Sequence, residues 1–214
     1  MKFAKPLPQF LIARHRERRA SRSPEQRARL QELATHGQTP RAMVIACCDS
    51  RVMVTDVFGS EAGEFFVHRN IANLVPPCTP DGRQHGTSAT IEYAVTVLKV
   101  RHLIVMAHSQ CGGVAGCFDI ETGQPGAPNA DSFVGHWLEV LAPSVQPLRE
   151  LPRDQALRAL EQQTVLVSLG NLMTFPFVSE AVMDGRLQLH GTWKDIGEGD
   201  LEVYDPGTRA FYRL

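Results

Sequence analysis

Apolar residues cluster in short blocks along this chain, and the spacing within each block differs. Residues 42–46 ("AMVIA") and 102–107 ("HLIVMA") are nearly unbroken apolar runs. Runs this short and this rich in branched side chains predict strands buried on both faces. "EFFVH" at 64–68 predicts a further strand. Between them, "TSATIEYAVTVLKV" sets Ile91, Ala94, Val95 and Leu98 on one helical face. "GVAGCFDIE" reads as a short helix, and helical patterns recur at 131–141, 153–169 and 175–183. The chain closes with "RLQLHGTW", "DLEVYD" and "RAFYRL", alternating like strands joined by turns at Gly197-Glu198-Gly199 and Pro206-Gly207.

The N-terminal region reads differently. Ser23-Pro24-Glu25-Gln26 offers an N-cap, a proline at the first helical position and a glutamine two residues on, a capping-box pattern. The helix it opens carries Leu30, Leu33 and Ala34 on one face and should stop at Gly37. The alternation of strand and helix predicts an α/β fold. Its mostly parallel central β-sheet is flanked by helices, with an N-terminal helical arm (1–38) and C-terminal strands, all in a single domain of residues 1–214. Ligand crevices in such sheets lie outside the carboxyl ends of the strands. Cys47 and His108 each fall one residue past a predicted central strand, so two strands deliver their side chains to one crevice.

Composition narrows the function classes. A net charge of −1 offers no electrostatic case for nucleic acid or membrane partners. The basic run Arg14 to Arg29 lacks aromatics, which favours a solvated helical face or an oligomer contact over an RNA-binding arm. No apolar stretch is long enough to cross a bilayer, and the N-terminal apolar run is too short and proline-broken for a signal peptide. The expectation is a cytoplasmic protein. Five cysteines, an odd and uneven set, argue against a disulfide framework and for metal or catalytic use.

The chemistry collects at the two strand ends. Cys47 ends one run, and His108 followed by Cys111 ends the other. Cysteine sulfur and histidine nitrogen are the ligands of tetrahedral zinc, and three of them leave a fourth position for water, as in catalytic sites. Asp49 and Arg51 are spaced to turn the same way, and a carboxylate held by arginine stays ionised and oriented. Gly112 and Gly113 allow close backbone approach at a helix start, where thiolate is favoured over thiol. Cys78 and Cys117 read as buried structural residues.

Taken together and in this order, "CCDSR", "HRNIAN" and "HSQCGG" resemble the β-class carbonic anhydrases. The likeness runs from about Gln38 to Val114 and resumes at "NLMTFPFVSEAV". It implies one zinc per chain on Cys47, His108 and Cys111, with Asp49 and Arg51 as an orienting catalytic dyad. It implies reversible hydration of carbon dioxide to bicarbonate and a proton. Gln38, Phe66, Ile71 and Tyr93, with Gly112 and Gly113, match substrate-binding positions of the plant-like, open-site subclass. Several pocket residues in that subclass come from a neighbouring subunit, which implies a homodimer or homotetramer. Cys48 stands where the family usually has serine or alanine. Val44 and Lys194 replace the tryptophan and tyrosine of a bacterial regulatory bicarbonate pocket, whose arginine is matched by Arg69. Two other readings compete: a hydrolase of another small cumulated substrate such as carbon disulfide, and a non-catalytic zinc-stabilised binding protein.

Overall fold

The computed structural model describes residues 3–214, so the first two residues of the expected arm lie outside it. The chain divides into two compact units, residues 1–38 and 39–214.

The N-terminal unit holds helices α1 (Gln9–Ala20) and α2 (Pro24–His36). The capping box forms as the sequence predicts. Ser23 Oγ accepts the Gln26 backbone N–H, the Gln26 side chain accepts the Ser23 N–H, and Gly37 at φ 81° ends the helix. Neither helix buries any of its residues.

In the second unit the elements follow as β1 (Ala42–Cys47), α3 (Val54–Phe58), β2 (Phe65–Asn70), α4 (Gly86–Glu92), β3 (His102–His108), α5 (Gly112–Thr122), α6 (Phe133–Leu138), α7 (Arg153–Leu172), α8 (Pro176–Met183), β4 (Gln188–Lys194), β5 (Leu201–Asp205) and β6 (Ala210–Arg213). The six strands form one sheet in the order β2-β1-β3-β4-β5-β6. The first four are parallel, and β5 and β6 are added antiparallel. This is the mostly parallel α/β sheet that the alternation predicts.

Strands β1 and β3 sit inside the sheet, and every residue of β1 is buried. On one face Met43, Ile45, Leu103, Val105 and Ala107 pack with Val165 and Leu172 of α7 and with Val178 and Ala181 of α8. On the other, Val44, Ala46, Ile104 and Met106 meet Val54, Val57 and Phe58 of α3. Both faces are therefore apolar, and the continuous hydrophobic run follows from that. Replacing Leu103 by alanine would cost about 2–5 kcal/mol at such a site.

Three boundaries differ from expectation in an instructive way. Cys47 and His108 are the last residues of β1 and β3 rather than the first beyond them. Parallel pairing carries the ladder through them, Cys47 opposite Asn70 and His108 opposite Lys194, which hydropathy cannot show for polar residues. The helix expected across 87–100 is α-helical only to Glu92. A wide π-helical turn, Tyr93–Val97, follows it. There the Thr96 hydroxyl donates to the Glu92 carbonyl at 2.7 Å, and Leu98 N–H reaches back to the Tyr93 carbonyl. Among the described residues no single helix is long and apolar enough to cross a membrane.

Candidate metal centre

Strands β1 and β3 stop at the same edge of the sheet, and each is followed by a tight turn. After β1 the Cys48 N–H donates to the Asn70 carbonyl at 2.9 Å, which carries the chain outward. Asp49 is then fixed three times over. Its Oδ1 accepts the Arg51 backbone N–H and Nε–H, both at 2.9 Å, and its Oδ2 accepts Nη2–H at 2.6 Å. This planar, two-pronged pairing holds the Asp49 carboxyl well below the usual carboxylate range. Arg51 Nη2 also donates to the Gln110 carbonyl at 3.0 Å, which ties the first turn to the second. Gln110 itself has φ 57°, and this left-handed turn brings the chain from β3 into α5.

Arg69 fastens the first turn from behind. Its Nε donates to the Cys47 carbonyl at 2.9 Å and its Nη2 to the Asp49 carbonyl at 2.6 Å. The side chain thus holds the backbone that presents a sulfur and a carboxylate.

In the second turn Ser109 is buried and Gln110 exposed. Ser109 N–H donates to the Lys194 carbonyl, and Ser109 Oγ accepts the Ile196 N–H at 2.8 Å. His108 is fully buried, and its Nδ1 lies 2.8 Å from the Ser109 carbonyl. A carbonyl only accepts, so Nδ1 carries the proton and Nε2 offers its lone pair. That Nε2 is buried with no hydrogen-bond partner. Cys111 is the N-cap of α5, and its N–H points at the Glu161 carboxylate, 3.3 Å away.

The donor atoms of Cys47, His108 and Cys111 all lie within 4.8 Å of one another, and all three residues are buried. The two sulfurs are 3.9 Å apart. Two thiolates on one tetrahedral zinc, each at about 2.3 Å, would lie about 3.8 Å apart. An orphaned imidazole nitrogen, two converging sulfurs and a fixed tautomer all fit a metal ion, so this group can hold one.

The electrostatics agree. The Cys111 thiol beside it draws the Cys47 pKa well below its ordinary value, against the opposing effect of burial. That first thiolate in turn holds the Cys111 thiol protonated, and burial adds to the effect. A divalent cation would relieve this repulsion. Burial works against protonating His108, but its contacts with Cys47 and the Ser109 carbonyl outweigh it and raise its pKa. Cys117 has no such company. Burial pushes its thiol up to about 12, and it donates to the Leu138 carbonyl.

The remaining expected site residues divide. Gly113 lies against Ile71: a Cβ there would meet Ile71 Cγ2 at 2.8 Å and Ala72 Cβ at 3.1 Å, so only glycine lets the start of α5 pack this closely. Gly112 opens the same helix, is exposed and has open space around it. Phe66 and Tyr93 stack on each other, with ring centroids 5.9 Å apart. Phe66 pairs with Met43, four residues back along β1 from Cys47, about 13 Å at 3.3 Å per residue. Within one chain these two rings stand apart from the sulfurs. Gln38 is exposed and belongs to the N-terminal unit. Cys48 is exposed, while Cys47 points inward.

Sequence reasoning passed over Glu161, Thr164 and Ser168. Asn73 Nδ2 donates to Thr164 Oγ1 at 2.9 Å, and Ser168 Oγ donates to the Asn73 carbonyl and accepts the Val75 N–H, both at 3.1 Å. The signal was present as polar residues on the otherwise apolar stripe of α7 that includes Leu160, Val165 and Leu172.

Comparison with known proteins completes the picture. The family model described as carbonic anhydrase matches residues 42–201. Beta carbonic anhydrase 3 of Arabidopsis thaliana is 37% identical over 173 residues, which make up 78% of this chain and 66% of the plant protein. The chain thus spans just under two thirds of that relative. Among solved structures, the β-carbonic anhydrase CcaA superposes with a TM-score of 0.86 at 30% identity, over 96% of this chain and 91% of that one. Tetrameric β-carbonic anhydrases from the ascomycete Sordaria macrospora give a TM-score of 0.77 at 30% identity, over 91% and 95% of the two chains. The strand-end cluster, the sheet around it and these likenesses agree, and the chain belongs to the carbonic anhydrase family, in its β class.

Proposed function

We propose that this protein is a zinc-dependent carbonic anhydrase, catalysing reversible hydration of carbon dioxide to bicarbonate and a proton. The observation that carries the reading is the convergence of Cys47 Sγ, His108 Nε2 and Cys111 Sγ within 4.8 Å, beside an Asp49 carboxylate clamped by Arg51. Zinc held there supplies the Lewis-acid chemistry that makes water nucleophilic near neutral pH.

The chain's own residues do the rest. Asp49 remains ionised because Arg51 pairs with both of its oxygens. An oriented carboxylate accepts a hydrogen bond from the attacking water and leaves that oxygen's lone pair free for carbon. Arg51 both orients Asp49 and, through the Gln110 carbonyl, sets its distance from the second turn. The pairing also keeps Asp49 from serving as a fourth protein ligand, so the site stays open to substrate. Ile71, packed on Gly113, gives the crevice an apolar wall suited to a molecule with no charge and weak acceptors.

The same reading extends to assembly. The protein acts as a homo-oligomer, a dimer or tetramer, in which Gln38, Phe66 and Tyr93 of a neighbouring subunit complete the carbon dioxide pocket. Supporting this are the tetrameric relatives, the distance of Phe66 from its own chain's sulfurs, and the exposure of Phe10, Leu11, Val67 and Tyr93.

Stopped-flow hydration assays paired with metal analysis, wild type against Cys111→Ala, test the function. One zinc per chain with rapid hydration, both lost in the variant, is the expected outcome. Wild-type protein that carries zinc yet does not hydrate carbon dioxide would overturn it. Sedimentation tests the assembly: a fully active monomer of about 24 kDa would contradict it.

A further inference from the structure

Glu161 brings a carboxylate into the interior, where it is only 4% exposed. Burying such a group is expensive unless its oxygens are matched by donors. Here each oxygen is matched. Oε1 accepts the backbone N–H of Cys111 at 3.3 Å, and Oε2 accepts the indole Nε1–H of Trp193 at 3.1 Å. Trp193 is itself buried, and the Arg158 guanidinium lies 3.1 Å from the centre of its ring. Arg158 Nη2 reaches Glu202 Oε1 at 2.5 Å, and Gln162 Nε2 donates to Glu202 Oε2 at 3.0 Å. Glu202 is the cross-strand partner of Trp193. One polar stack therefore runs from β5 through β4 and α7 to the backbone of a metal-site cysteine.

From this geometry we infer that Glu161 is a positioning residue for the metal centre: anchored by Trp193, its carboxylate fixes the Cys111 N–H and thereby the Cys111 sulfur. The inference rests on the metal-binding reading given above. Cys111 caps α5, and the direction of its Sγ depends on the peptide plane that carries this N–H. A buried N–H must find an acceptor. At this turn the acceptor is a side chain on a different helix, fifty residues away. The orientation of the second sulfur is therefore set by how α7 packs on β4, and not by the turn alone. Outer partners of this kind typically change metal affinity by about 10- to 100-fold when removed. Simple packing would not need a charged group in that position.

Glu161→Gln tests the idea. Glutamine has the same shape but only one acceptor oxygen, so one of the two N–H groups must face an amide NH2. The expected result is a folded protein whose zinc dissociation constant, from chelator competition, rises about 10- to 100-fold. Its cobalt-loaded form should also show a shifted thiolate-to-cobalt absorption band. Trp193→Phe keeps a ring beneath Arg158 and removes only the indole donor, so a smaller loss in the same direction is expected. It carries the test if Glu161→Gln does not fold. Leu172→Ala, at a fully buried position on the same helix, is the stability control: its melting temperature falls while its metal affinity and cobalt spectrum stay at wild-type values. A folded Glu161→Gln, or in its place Trp193→Phe, with wild-type affinity and spectrum overturns the assignment. Wild-type protein that binds neither zinc nor cobalt overturns the metal reading itself.

Discussion

The two ends of the parallel strands carry similar residue types and use them in opposite ways. At the carboxyl ends of β1 and β3, each polar group has a dedicated partner. Asp49 is matched by Arg51, the Cys47 and Asp49 carbonyls by Arg69, and the Cys111 N–H by Glu161. Among the buried atoms without a partner is His108 Nε2, on the residue grouped with the two sulfurs. At the amino ends the strand starts are joined by backbone bonds, Arg101 N–H to the Arg41 carbonyl and Gln188 N–H to the Arg101 carbonyl. There His102 Nδ1 and His190 Nε2 lie 3.1 Å apart, beside a cavity of about 550 Å³ lined by Arg41, Arg101 and His102. One end fixes its charges by pairing and leaves the His108 lone pair unmatched. The other leaves its cations to solvent and lets two imidazoles share hydrogen-bonding duty. At the first, pairing with Arg51 keeps the Asp49 carboxylate ionised, whereas at the second, burial disfavours the protonated form of His190.

The largest effect should follow from removing the lone pair on which the carboxyl end is built. His108→Ala is expected to weaken metal binding by at least about 100-fold and to abolish hydration with it. Metal analysis after dialysis against a chelator is the check, and full stoichiometry would break the contrast between the two ends.

Next in size is Arg51→Ala. Losing a positioned proton acceptor typically costs about 10²- to 10⁴-fold, and kcat/KM should fall within that range. Zinc should remain bound, because the three donors are untouched. Arg51→Lys should recover little, since an ammonium cannot pair with both carboxylate oxygens and the Gln110 carbonyl together. Stopped-flow rates on the zinc-loaded variants decide it. Wild-type turnover in Arg51→Ala would show that the clamp is an ordinary turn contact.

Gly113→Ala sharpens the comparison at the level of packing. The added methyl meets Ile71 and Ala72 at distances that force a shift. A destabilisation of about 1–3 kcal/mol in denaturant melts is expected, together with a raised KM as Ile71 moves. An unchanged melt would mean the start of α5 has slack.

The smallest effect belongs to the amino end. Burial, reinforced by His102, lowers the His190 pKa, so the folded state disfavours its protonated form. The unfolded chain takes up that proton near pH 6.5. As pH falls from 7 to 5 the unfolded state therefore binds more protons than the folded one, and stability declines. His190→Gln removes this contribution. Its melting temperature should fall less steeply over that window, by at most about 2–4 °C relative to wild type. Parallel curves from pH 7 to 5 would remove the proposed pH response of this end.

Local chemistry in the chain was enough to announce β1 and β3, the capping box at Ser23, Cys47, His108 and Cys111 as candidate metal-binding residues, and the Asp49–Arg51 pair. Apart from the meeting of Cys47 with Cys111, 64 residues further on, each of these depends on neighbours within a few residues. An apolar run is buried on both faces wherever it lies, a capping box closes within one turn, and a carboxylate two residues from a guanidinium meets it in almost any tight turn. Tertiary structure alone decided what supports them. That Arg69 would fasten the Cys47 turn, that Glu161 would accept the Cys111 N–H, and that Phe66 and Tyr93 would pair far from their own chain's sulfurs all depend on register and helix packing between distant segments. Sequence shows which groups are costly to bury. Only the fold shows which donors arrive to meet them, because those donors come from segments joined by hydrophobic packing that many sequences could satisfy.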